Sequence, residues 1–254
     1  MADFLADPQS ALLLFILIGF AAQMVDGALG MAFGQISSTL LVSFGVPPAA
    51  ASAGVHTAET FTTAVSGISH VAHRNVDWGL FFRIVIPGVI GGVAGAYVLT
   101  RISADAARPL VLSYLTALGL YLFYRGIMHR HSERQPKVVA PLGLVGGFLD
   151  ASGGGGWGAI VTSNLLVQGS NPRKTIGTVN TAEFFLTVTI SATFIATIGW
   201  EAFTIATVGL LIGGVMAAPF GGWIAKRVNP DLLLTFVGGL VTLTSGFALY
   251  RLLG

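Results

Sequence analysis

The chain contains no cysteine, which removes disulfides, thiolate metal sites and thiol nucleophiles together. Charge is scarce too: Asp, Glu, Lys and Arg make up 9% of its 254 residues, against roughly a quarter in a soluble domain. No stretch matches a Walker loop, a Rossmann fingerprint, an HExxH metal helix or a hydrolase elbow. ATP-driven work by this chain alone is thereby disfavoured, and neither a cofactor nor a bound metal is expected. The first ten residues hold two Asp and no Lys or Arg, so they lack the basic start of a secretory signal. The first apolar segment is expected to be retained.

Apolar residues are what the chain has in excess: 54% of it is hydrophobic and its mean hydropathy is +0.79. A domain of this length already buries most of what it can, so the surplus must face lipid. The 13 Lys and Arg give a net charge of only +2 and are dispersed in short loops. They read as topology determinants and not as a nucleic-acid face. The 34 Gly suit close helix packing and broken helices inside a membrane.

Apolar segments run at approximately 11–25, 28–45, 50–72, 79–100 and 107–127, then 138–149, 154–168, 176–197, 203–224 and 231–253. A helix needs about 20 residues to cross the hydrocarbon core. The first two segments of each half fall short, and glycine-rich sequence splits each pair: Asp26-Gly27-Ala28-Leu29-Gly30 in the first, Asp150-Ala151-Ser152-Gly153-Gly154-Gly155-Gly156-Trp157 in the second.

The chain also repeats itself. A shift of 124 places Asp26 on Asp150, Gly30 on Gly154, Gly45 on Gly169, Pro48 on Pro172, and Thr57-Ala58-Glu59 on Thr181-Ala182-Glu183. Residues 1–127 then form a first repeat, 128–137 a linker and 138–254 a second repeat. If each half crosses an odd number of times, nine basic residues lie on the linker side and three on the other. Four crossings per half would divide them evenly, so the positive-inside bias selects the inverted arrangement, with the linker cytoplasmic and both termini external. The expected fold is an all-α polytopic protein of the cell inner (plasma) membrane. Each inverted repeat has short helices, broken or re-entrant, followed by three long transmembrane helices.

Matched glycine breaks in inverted repeats are the sequence pointer to a transporter's central site. Free N–H groups at the start of the following half-helix favour a negative ligand. Gly27, Ala28 and Gly30 in one half, and Ser152, Gly153, Gly154 and Trp157 in the other, are therefore candidate binding positions for a small anionic solute, each break led by Asp26 or Asp150. The competing reading is that the glycines serve only packing. His56, Thr57, Asn180 and Thr181 are further binding candidates, and Glu59 and Glu183 join the two Asp as coupling candidates. Ionisable groups within a span usually line a cavity or proton path, unless they are neutral acids bonded to a neighbouring helix. Gln35, Thr39, Ser163 and Asn164 either line a pathway or bridge helices. Arg83 is expected to snorkel to an interface, and His70 and His73 to mark a helix end.

Two stretches, Gly19-Phe20-Ala21-Ala22-Gln23-Met24-Val25-Asp26-Gly27-Ala28-Leu29-Gly30 and Gly147-Phe148-Leu149-Asp150-Ala151-Ser152-Gly153-Gly154-Gly155-Gly156-Trp157-Gly158, together with the duplication of the chain, resemble the sulfite exporter TauE/SafE family of membrane transporters. The resemblance implies ion-gradient-driven movement, export above all, of sulfite, thiosulfate, sulfoacetate or another organosulfonate. A passive anion channel and a membrane-embedded enzyme are the alternatives. Partners other than the solute and the bilayer are not implied, nucleic acid is not among them, and the oligomeric state stays open, a homodimer being one option.

The charge count makes a direct prediction about sidedness. Reporter fusions after Gly254 and within the linker should report opposite compartments, and one shared compartment would defeat the inverted arrangement.

Overall fold

The computed structural model describes residues 8–29, 31–128, 136–200, 205–220 and 230–253, all of them helix or short connection. The first half consists of α1 (Pro8–Leu29), α2 (Phe33–Ser43), α3 (Pro48–Ala72), α4 (Trp78–Arg101) and α5 (Ala104–Ile127). The second has α6 (Ala140–Gly153) and then α7, a π-helical turn at Gly158–Thr162 running into Ser163–Val167. It continues with α8 (Pro172–Ile198), α9 (Ile205–Ala217, ending in a 3-10 turn, Ala218–Phe220) and α10 (Pro230–Leu253). Most of the linker, residues 129–135, lies outside the described residues.

Local sequence explains the boundaries. The Asp77, Ser103 and Asn171 side chains accept from the N–H groups of Leu80, Ala106 and Lys174, so each start has a side-chain cap. Pro48 and Pro172 begin α3 and α8, where a missing N–H leaves no intrahelical bond unmade. His73 caps the end of α3 and its ring nitrogen lies 2.8 Å from the Ser69 carbonyl. Arg83 is exposed in the second turn of α4.

The short helices α2 and α7 end alike. After α2 the N–H groups of Phe44, Gly45 and Val46 return to the carbonyls of Leu40, Val42 and Leu41. After α7 those of Gln168, Gly169 and Ser170 return to Asn164, Leu166 and Leu165, each position 124 further on. Gly45 and Gly169 both take left-handed backbone, φ +94° and +98°, which closes the turn and which glycine alone adopts at little cost.

Among the described residues, five helices are long and apolar enough to cross a membrane: Gln9–Asp26, Trp78–Arg101, Ala104–Ile127, Lys174–Ile198 and Leu234–Leu253. The first segment is not short, because α1 is a 22-residue helix, about 33 Å long and enough to span. Part of the reason is visible in register: Gly19-Phe20 pairs with Gly147-Phe148 at a shift of 128, whereas Asp26 pairs with Asp150 at 124. The first half thus has four more residues, about one helical turn, before its Asp. The 11-residue α2, the 14-residue α6 and α7 remain too short to cross alone. The 25-residue α3 has the length, but His56, Thr57, Glu59 and Thr60 dilute its apolar character.

Packing exchanges the halves. Helix α4 lies along α6, and α1 along α9; α5 packs on α10 and α3 on α8. Glycines make the first two pairings close. A Cβ on Gly91 would run into the carbonyl oxygen of Leu144, and one on Gly213 into that of Ile16, with the Phe148 and Phe20 amides next to them. These are equivalent contacts in the two halves. Helix ends and connections sort into two groups as well: Arg83, Pro136 and Lys174 line one cavity, and Gly45, Arg108 and Arg251 another.

Close backbone approach is what the apolar helices need in lipid, where burying hydrocarbon supplies little drive. Gly91→Val and Gly213→Val should therefore each destabilise the protein by about 2 kcal/mol or more. Gly246→Ala should be near neutral, since its Cβ would meet only the Thr116 methyl group at 3.8 Å. Thermal midpoints in detergent check this, and unshifted midpoints for both valine variants would contradict the packing role.

Candidate functional site

Each break is organised by its aspartate. The Phe33 N–H, at the start of α2, donates to Asp26 Oδ1 at 3.3 Å, and the Trp157 N–H, entering α7, donates to Asp150 Oδ1 at 2.7 Å. The donor stands seven residues after the acceptor in both cases. A carboxylate at a helix start satisfies an orphan N–H and complements the partial positive charge there. In the second break, Gly154 to Gly156 take positive φ, and the Gly154 and Gly155 amides both turn back to the Asp150 carbonyl. Several N–H groups expected to face a solute are thus satisfied within the protein.

The second carboxylate oxygen of Asp150 reaches across the duplication. Oδ2 lies 2.9 Å from Nε2 of His56, on α3, and both residues are almost fully buried. The other ring nitrogen, Nδ1, lies 2.7 Å from the Ser52 carbonyl. A carbonyl can only accept, so Nδ1 carries a proton; the Nε2 to Oδ2 contact therefore holds one shared proton, as imidazolium with carboxylate or imidazole with carboxylic acid. The Ser52 hydroxyl donates to the Ala151 carbonyl at 2.7 Å, and the Ser38 hydroxyl donates to that of Gly154. Helices α2 and α3 of the first half thus hold the second-half break at three points.

Glu59 is buried one turn along α3 from His56 and faces the start of α2, where a Cβ on Gly34 would sit 3.0 Å from its Oε1. It interacts electrostatically with His56, Asp150 and Asp26, and Glu183 interacts with Glu59, Asp26 and Asp150. The other three coupling candidates therefore all lie within electrostatic reach of Glu59. Glu59 and Asp150 are closed off, at 5% and 2% exposure, whereas Asp26 and Glu183 are only partly buried. Among the described residues, no three His, Asp or Glu side chains gather in a metal-holding geometry.

Other candidates fall around this cluster unevenly. Asn180 stands where the repeat would place a second histidine, but its amide bonds to the Ser66 hydroxyl at 3.3 Å and not to Asp26. Thr57 and Thr181 return their hydroxyls to their own helices, at Ala53 and Gly177. The Ser152 hydroxyl does the same at Phe148. Trp157 is fully buried against Gly88 and Gly146, with its ring N–H on the Val179 carbonyl. Gly27 and Ala28 belong to the last turn of α1, and Gly30 lies outside the described residues. Ser163 points to Met31 in the other half, and Asn164 bonds back to Ile160. The buried oxygens of Gln35 and Thr39 have no partner among the described residues.

One participant was missed from sequence. Tyr114, on α5, donates its hydroxyl to the Gly155 carbonyl at 3.1 Å. Its ring fills the space where side chains on Gly153 and Gly156 would stand. A tyrosine in a long apolar helix carries no sign of this task; the missing side chains of the glycines opposite it are the only trace.

The profile of the family described as Sulfite exporter TauE/SafE matches residues 15–248. The chain is 42% identical over 243 residues to a Bacillus subtilis (strain 168) protein named "Probable membrane transporter protein YtnM", covering 92% of this chain and 81% of the relative. It is 25% identical over 111 residues to "Sulfite exporter TauE/SafE family protein 3" of Arabidopsis thaliana, covering 44% of this chain and 23% of that protein. No solved structure matches. With the family profile spanning nearly the whole chain and the duplicated, Asp-led breaks at its centre, the protein belongs to the sulfite exporter TauE/SafE family of membrane transporters.

Proposed function

We propose that this membrane transporter moves a small sulfur-containing anion such as sulfite or an organosulfonate, most simply outward, in exchange for or together with protons. The reading rests chiefly on one observation: four carboxylates and a single histidine converge where two half-helices begin. Two helix starts supply about half a positive charge each, and a protonated His56 adds one. Four ionised carboxylates would outweigh that by roughly two charges, so an anion can share this space only if protons arrive with it. Proton uptake and anion occupancy are then linked, as an ion-coupled carrier requires.

The duplication supports alternating access as the means. Helix pairs that exchange between halves, around breaks of the same design, suit a rocking movement about the central cluster. The separate grouping of Arg83, Pro136 and Lys174 from Arg108 and Arg251 supports the inverted orientation, and with it external termini in the plasma membrane. His56 and Asp150 share a proton while Asn180 and Asp26 do not, so the halves perform unequal tasks: the first histidine-bearing unit carries a proton, and the second supplies the glycine bend it holds.

Glu59→Gln and Glu183→Gln keep the shape of a neutral acid and remove titration. Each should leave sulfite affinity within about threefold while reducing pH-gradient-driven flux by about tenfold or more, Glu59→Gln the more strongly because His56 shares its helix face. Flux and binding measured on the same reconstituted samples check this. Full gradient-dependent flux in the double variant would remove both residues from coupling.

A further inference from the structure

We infer that the cleft formed by Arg108 and Arg251 is a second oxyanion-binding site, the mouth of a polar route that runs along α2 to the carboxylate cluster. This rests on the transport reading for its purpose but on separate residues for its existence. The cleft encloses about 430 Å³ and is lined by Ser43, Phe44, Gly45, Arg108, Thr244 and Arg251, among others, with no carboxylate among the described residues that line it. Arg108 is held in place, since Nη2 donates to the Gly45 carbonyl at 2.7 Å, and the left-handed turn at Gly45 presents that carbonyl. Its buried Nε has no partner among the described residues, nor has the buried hydroxyl of Ser43. A guanidinium N–H and a hydroxyl left unsatisfied beside a second guanidinium suit a tetrahedral oxyanion, whose oxygens accept from both.

The route follows from helix periodicity. Gln35, Thr39 and Ser43 stand four residues apart on one face of α2, and each has a buried oxygen without a partner among the described residues. Leaving even one buried polar group unsatisfied costs about 1–3 kcal/mol, so a stripe of three needs an occupant such as water or a passing solute. The stripe is about 12 Å long. It leads from the Asp26 and Glu59 end of α2 to the Arg108 cleft at its other end. Duplication does not explain it, because the equivalent positions in the second half read Ala159, Ser163 and Val167. The central cluster is acidic, and a mouth with two guanidinium groups supplies the positive potential that captures an anion before protons neutralise the interior.

The absence of cysteine allows a clean test. Ser43→Cys, Thr39→Cys and, within the cleft, Thr244→Cys are made singly in the full chain, reconstituted in zwitterionic vesicles and exposed to membrane-impermeant methanethiosulfonate reagents. Leu41→Cys, on the opposite face of α2, is the control. At Ser43→Cys and Thr244→Cys the sulfonate-bearing reagent should react about tenfold faster than the ammonium-bearing one. Inorganic sulfate should slow the reaction, and Arg108→Gln or Arg251→Gln should abolish the preference. Thr39→Cys should react more slowly, and Leu41→Cys least. The same pattern in the Glu59→Gln, Glu183→Gln background separates the mouth from the coupling mechanism. Reaction rates indifferent to reagent charge at both cleft positions overturn the proposal. Protection by anionic lipid but not by sulfate also overturns it, assigning the arginines to a phospholipid headgroup.

Discussion

The arrangement depends on a carboxylate accepting the first N–H of a half-helix inside a membrane. Without water, the amides that begin α2 and α7 need acceptors from the protein. Asp26 and Asp150 provide them and thereby bring negative charge to the positive ends of both half-helices. From this one constraint follow the glycine bends that let an Asp reach forward seven residues, the close helix pairings that enclose it, and the gathering of Glu59, Glu183 and His56 around it. A carboxylate so placed is stable only while its partners stay, and breaking a buried pair by removing one partner costs about 3–5 kcal/mol. That makes the His56 contact with Asp150, in which one proton is shared, a structural tie as well.

Much of the fold was legible because lipid imposes strict rules on sequence. Segments read at 50–72, 79–100, 107–127 and 176–197 from apolar length fall within four residues of the ends of α3, α4, α5 and α8, and the duplication was read from a register that carried Asp, Gly and Pro together. The length of α1 was misjudged because polar and small residues near its ends, Gln23 and Asp26 among them, lowered its apolar count without breaking the helix. Helical periodicity tolerates such residues when other helices cover them, which the sequence of one segment does not reveal.

The candidate cluster was legible as a set of buried ionisable residues and not in its connections. Asp26, Asp150, Glu59, Glu183 and His56 stood out as ionisable groups among apolar neighbours. That His56 serves Asp150, 94 residues away, depends on how α3 crosses the second break. That Asn180 turns to Ser66 depends on the same crossing viewed from the other half. The glycine amides drew attention as free donors, but Asp150 already uses those of Gly154, Gly155 and Trp157 through its carbonyl and carboxylate. Spacing along a chain identifies who is polar within a membrane; only packing decides who is already partnered.

Purified protein in sealed vesicles, loaded with labelled sulfite and given a pH gradient, tests the central claim that protons accompany the anion into the carboxylate cluster. The account predicts sulfite accumulation against its own gradient, with measurable proton movement in the same vesicles and loss of both when a protonophore is added. Sulfite that only equilibrates, at a rate unaffected by the protonophore, would contradict it.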